Sequence, residues 1–141
     1  MPRRISVLFL GLIVPLWLLV ASAQTIKNVP APYTSPASGK EMYRTHCAAC
    51  HGLEGKGDGP AATALKMAPA NLTTLAKANG GQFPSDRVYN SIKGDPAVAA
   101  HGSPEMPVWG TTFRSVSHGH PVEVQQRLVN LTSYVKTLQE N

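Results

Sequence analysis

Both cysteines of this chain fall in one pentapeptide, Cys47-Ala48-Ala49-Cys50-His51. Two thiols three positions apart are separated by about one helical turn, so they face the same way and reach one target. C-x-x-C followed by histidine is the spacing of covalent c-type haem attachment. Each thiol adds across a vinyl group of one porphyrin, and the histidine then falls beneath the ring as a ligand for the iron. Two other uses of the spacing fit less well. A thioredoxin-like redox pair sits at a strand-to-helix junction, whereas Lys40 to His46 reads as helix. A zinc site needs four ligands, and the only further pair, His118 and His120, is too closely spaced for the usual second half.

Composition narrows the fold. A chain of 141 residues makes one domain. A hydrophobic fraction of 43% with 15% charge excludes a disordered chain, and two cysteines cannot staple a scaffold. Aromatic residues are only 6%, thin for a core of this size, which leaves room for a bulky apolar group that is not a side chain.

The first residues read as an export signal. Met1-Pro2-Arg3-Arg4 is basic, Ile5 to Val20 is apolar, and Ala21-Ser22-Ala23 has the small-x-small form of a cleavage site. The apolar run is shorter than the roughly 20 residues of a membrane span. Residues 1–23 are expected to be a signal peptide and the mature protein to be periplasmic; a retained N-terminal anchor, with membrane contact through it, is the alternative. Losing Arg3 and Arg4 lowers the formal charge of +5 by two. With no Lys/Arg cluster or basic stripe, nucleic acid is not an expected partner.

Along the rest of the chain, residues 24–37 carry Pro30, Pro32 and Pro36 without periodicity and read as an extended arm, ahead of one domain over 38–141. Ser38-Gly39-Lys40-Glu41 has the form of a capping box and starts a helix running to about Ala49. Gly52 to Pro60 is a glycine-rich loop. Ala61 to Met67 predicts a short turn, and Asn71 caps a short helix over 72–78. Ser85 caps another over 86–93, ended by Gly94. Residues 95–119 read as loop. Val124, Leu128, Leu131, Val135 and Leu138 form the apolar stripe of a last helix. No segment alternates as a strand does, so the fold class is all-α: short helices and long loops.

If iron is bound at His51, its opposite position decides the function. Met42 and His46 lie on the helix entering the pentapeptide, too near to reach the far side. Met106, between Pro104 and Pro107, lies far enough along the chain to return there; Met67 and His101 are alternatives. His118 and His120 are expected in solvent.

Together, the pentapeptide, the later Met106-Pro107-Val108-Trp109-Gly110 segment and the amphipathic helix after it resemble small monohaem class I c-type cytochromes, bacterial and exported. The resemblance covers about Ala37 to Gln139. It implies one haem c on Cys47 and Cys50, with His51 and Met106 as iron ligands, and a fold in which the first and last helices cross beside the haem. Gly39 and Tyr43 would then meet the Leu131/Val135 stripe. It also implies that the Pro60 carbonyl accepts the His51 N–H and that the Trp109 indole reaches a haem propionate. The implied function is one-electron transfer between periplasmic or membrane redox proteins, met transiently near the haem edge, with Lys56, Lys66 and Lys93 as a candidate basic rim. Two other readings remain: a haem subunit bound stably to a dehydrogenase or oxidase, and a haem protein whose open iron binds ligands. No catalytic residues are assigned, and the protein is expected to be a carrier rather than an enzyme.

Overall fold

The computed structural model describes residues 29–94 and 106–140. The expected signal peptide over 1–23, the start of the arm, His101 and Pro104 lie outside the described residues. Among the described residues, five α-helices carry the fold: α1 (Gly39–Met42), α2 (Ala48–His51), α3 (Ser85–Lys93), α4 (Trp109–Val116) and α5 (Pro121–Thr137). A π-helical turn, Tyr43–Cys47, joins α1 to α2 without a break. Three 3₁₀ turns follow the pentapeptide, at Ala62–Ala64, Leu72–Thr74 and Lys77–Asn79. Among the described residues there is no strand, and the all-α expectation holds.

α5 is the hub: α1, α3 and α4 all pack on it. Its Leu128, Leu131 and Val135 are buried together with Met42, Tyr43, Ala48, Val88, Ile92 and Phe113. Val124 and Leu138, at the ends of the apolar stripe, are half-buried against this core. The crossing of α1 and α5 depends on Gly39. A Cβ there would run into the Asn130 carbonyl and come within 2.8 Å of the Tyr134 Cβ, so only glycine lets the two backbones approach this closely.

Helix starts depart from expectation in small, explicable ways. The Ser38 Oγ accepts the Glu41 N–H at 3.2 Å, as a capping box requires. The reciprocal bond is replaced, because the Ser38 N–H donates to the Ser35 carbonyl at 3.1 Å. The first helical run continues to His51 rather than ending at Ala49. Ser85 is the first residue of α3, and Pro84 occupies the capping position. The single helix expected over 72–78 is two 3₁₀ turns, although Asn71 does cap the first by accepting the Thr73 N–H at 2.9 Å.

α4 corrects the sequence reading. Residues 109–116 were expected within a loop and form two turns of helix. Trp109, Phe113 and Val116 recur at helical spacing, but Thr111, Thr112 and Ser115 between them are poor helix formers and mask the period. Packing against α3 and α5 supplies what propensity lacks.

The arm is tied down. Thr34 is buried, with its carbonyl accepting from Arg127 Nη1 at 2.7 Å and its Oγ1 at 3.0 Å. The Pro36 carbonyl accepts from Asn130 Nδ2 at 2.8 Å. Arg127 is itself wholly buried and lies over the Tyr33 ring.

Candidate functional site

The pentapeptide closes the first helical run, and a helix end leaves carbonyls without partners. Here the glycine loop folds back and supplies a donor for each. The Ala48 carbonyl accepts from the Gly52 N–H at 2.9 Å, Ala49 from Ala61 at 2.8 Å, Cys50 from Gly59 at 3.1 Å, and His51 from Gly57 at 2.8 Å. Pro60 falls between two of these donors, at a position where no N–H is used. Gly59 is the tightest point, since a Cβ there would press into the Ala49 carbonyl and lie 2.6 Å from the Ala48 oxygen. The Tyr43 hydroxyl adds a cross-brace by donating to the Gly52 carbonyl at 2.8 Å. Together these bonds hold Cys47, Cys50 and His51 in one rigid frame.

His51 is oriented by its Nδ1, which donates to the Ala70 carbonyl at 3.0 Å. This corrects the assignment of Pro60: the carbonyl that accepts the His51 N–H belongs to Ala70. The reason lies in the loop. Leu72 N–H donates to the Gly55 carbonyl at 2.7 Å, and Asn71 caps the next turn, which brings residues 69–72 alongside the pentapeptide. With the proton on Nδ1, Nε2 keeps its lone pair for a metal. Burial lowers the His51 pKa, with the Ala70 bond opposing in part, so the neutral ligand form is favoured at neutral pH.

Both thiols are free. Burial, with the neighbouring Cys50 thiol, pushes Cys47 up to about 12. An exchange-active cysteine is held as thiolate by a depressed pKa, so Cys47 lacks the character of a thioredoxin-like nucleophile. Among the described residues no three His, Cys, Asp or Glu side chains gather as a metal cluster, and the second pair a zinc site would need is absent there. His118 and His120 are exposed, as expected.

The candidate ligands for the far side separate by burial. Met42 is wholly buried, its sulfur 3.9 Å from Arg127 Nη1. Met67 is 57% exposed. Met106 is half-buried and packs against the core. Trp109 is the first residue of α4, and its ring packs 5.1 Å from His46 and 5.9 Å from Phe113, centroid to centroid. That aromatic packing went unseen in the sequence, because nothing local links residue 46 to residues 109 and 113.

A planar apolar group with a metal at its centre fits this arrangement. The donor set is a pair of thiols on one helical turn and an imidazole with a free Nε2. Leu72, Leu75, Phe83, Met106 and Trp109 are apolar but only half-buried around a small core, which is the surface such a group would cover. Cys47, Cys50 and His51 would hold it.

Comparison with known proteins points the same way. A protein-family model described as Cytochrome c matches residues 36–139, more than half of the chain and all five helices. Searches of the curated proteins and of the solved structures return no match.

Proposed function

As the chain belongs to the cytochrome c family, whose members carry covalently bound haem c, we propose that it is an electron carrier in which His51 and Met106 would hold the iron. The haem, when bound, supplies the one-electron exchange between ferric and ferrous iron. The observation that carries the assignment is the His51–Ala70 bond, which fixes the tautomer and aims Nε2 away from the backbone. Cys47 and Cys50 would hold the ring from a helix end whose last four carbonyls are all paired. Met106 is the described methionine that is neither sealed in the core like Met42 nor mostly in solvent like Met67. Its thioether is soft and neutral, favours ferrous iron and raises the potential.

Trp109 is read as a packing residue first, because its ring faces His46 and Phe113. Pro60 serves the loop. Redox proteins are the proposed partners, met transiently or as neighbours in a larger complex, in the periplasm after removal of residues 1–23. No helix among the described residues is long and apolar enough to cross a membrane. Of the candidate rim lysines, Lys56 is already paired with Glu54 at 2.7 Å, so its charge is partly satisfied at home.

Substitution of the methionine is the direct test. Met106→Ala should leave the haem covalently attached, abolish the far-red band that marks methionine–iron bonding, and lower the potential by on the order of 100 mV. Spectra and a redox titration of both proteins read the result. The same change in Met67→Ala instead would move the ligand to Met67, and rapid carbon monoxide binding by the wild-type ferrous protein would show an open iron.

A further inference from the structure

We propose that His46 is a positioning residue for the axial segment, anchoring Trp109, and through it Met106, to the helix that carries the attachment cysteines. The inference rests on Met106 being the ligand. It starts from three ring contacts and a polar one. The His46 ring lies 5.1 Å from Trp109 and 5.9 Å from Phe113, and Trp109 and Phe113 lie 5.9 Å from each other. The edge of the same imidazole places Nε2 3.4 Å from Thr34 Oγ1. Thr34 is held in turn by the buried Arg127, whose Nη1 donates to both its carbonyl and its hydroxyl.

The consequence follows from the chain between Met106 and Trp109. Pro107 is exposed, and Val108, half exposed, rests its side chain over Gly94 at the end of α3, which holds the start of α4 from the other side. Pro107 restricts the backbone, and the place of Met106 is therefore set largely by where α4 begins. α4 begins at Trp109, and the Trp109 ring rests on His46. His46 immediately precedes Cys47 in the rigid run from Gly39 to His51. One side chain thus links the element that holds the ring by its cysteines to the element that brings the opposite ligand. Histidine suits the position because its ring meets two aromatic rings, tilted against Trp109 and near-perpendicular to Phe113, while a ring nitrogen reaches Thr34. Phenylalanine keeps the first and loses the second. Alanine loses both.

The test compares the mature haem-loaded protein with its His46→Ala and His46→Phe variants. Amide hydrogen exchange over residues 113–117, the hydrogen-bonded part of α4, reads the anchoring without reference to the iron. It should quicken about tenfold in His46→Ala, the size expected for losing two ring contacts, and return to within about twofold of wild type in His46→Phe. Unchanged exchange in α5 checks that the fold is intact. Added imidazole, competing with Met106 for ferric iron, reads the ligand end. Its apparent affinity should rise by about the same factor in His46→Ala, because a loosened competitor leaves the site free more often. Wild-type exchange and wild-type imidazole affinity in His46→Ala would overturn the proposal, as would a phenylalanine variant as loose as the alanine one. Should wild type bind imidazole as tightly as Met106→Ala, the ligand assignment itself fails, and the link from His46 to the iron falls with it.

Discussion

Arg127 is wholly buried, with Nε on the Ser117 hydroxyl at 3.0 Å, Nη1 on the Thr34 carbonyl at 2.7 Å and Nη2 on the Glu123 carboxylate at 2.8 Å. The sequence shows it only as a polar residue one position from Leu128, next to the apolar stripe, and an ordinary helix would put it in solvent. What buries it is the arm, a segment 93 positions away in the chain. The cluster has a pH signature. Arg127 and then Ser117 hold the Glu123 carboxyl below the usual carboxylate range by hydrogen bonding to its charged form. A depressed carboxylate contributes stability that is fully present above its unfolded value. That contribution disappears as pH falls through the folded one, because the unfolded chain takes up the proton first. Chemical denaturation across the acidic range should show this loss in wild type and a smaller loss in Glu123→Gln. Equal slopes in the two proteins would mean that the pair contributes nothing.

Among the elements, the joint between α1 and α5 is where shape matters most. Gly39 was legible in the sequence as a place of close approach only through the family resemblance; glycine at a helix start has no such meaning by itself. With the structure known, the magnitude can be bounded. Gly39→Ala drives a methyl into the Asn130 carbonyl, which cannot move without breaking the turn of α5 it belongs to. Such overpacking costs at least about 2 kcal/mol, against the up to about 1 kcal/mol gained from better helix propensity. Urea unfolding of the haem-loaded variant measures the difference, and a variant as stable as wild type would show that α1 can slide. α4 teaches the complementary lesson. Its apolar period was present at Trp109, Phe113 and Val116, but three residues in a helix of two turns are a weak signal beside threonines and serines. Short elements borrow their stability from neighbours, so their existence is decided by what packs on them.

For the molecule as a whole, the described core has nine buried hydrophobic residues and is wrapped by helices mostly shorter than three turns. Isolated helices of that length are marginal in water. Leu72, Leu75, Phe83, Met106 and Trp109 pack against it but stay half-buried, and a bound haem would give the short helices further apolar surface to close on. Replacing both proposed attachment residues, Cys47→Ala with Cys50→Ala, is therefore expected to remove most of the far-UV circular dichroism helical signal as well as the haem. A variant that stays helical without haem would show that the protein core suffices.

The sequence by itself carried the cysteine pair and histidine of an attachment motif, the all-α class, the stripe of α5, the Ser38 start of the first helical run and the Gly94 stop of α3. Each of these depends on residues a few positions apart, whose relation is set by the covalent chain and the helical period. Tertiary structure decided the rest: that Ala70 rather than Pro60 accepts the His51 proton, that Arg127 is buried under the arm, and that His46 meets Trp109. A backbone carbonyl carries no mark of identity in a sequence, and a ring contact between positions 46 and 109 exists only once the chain has folded. The scarcity of aromatic residues and the two cysteines point to an apolar group at the centre; the path of the loops around it had to be seen.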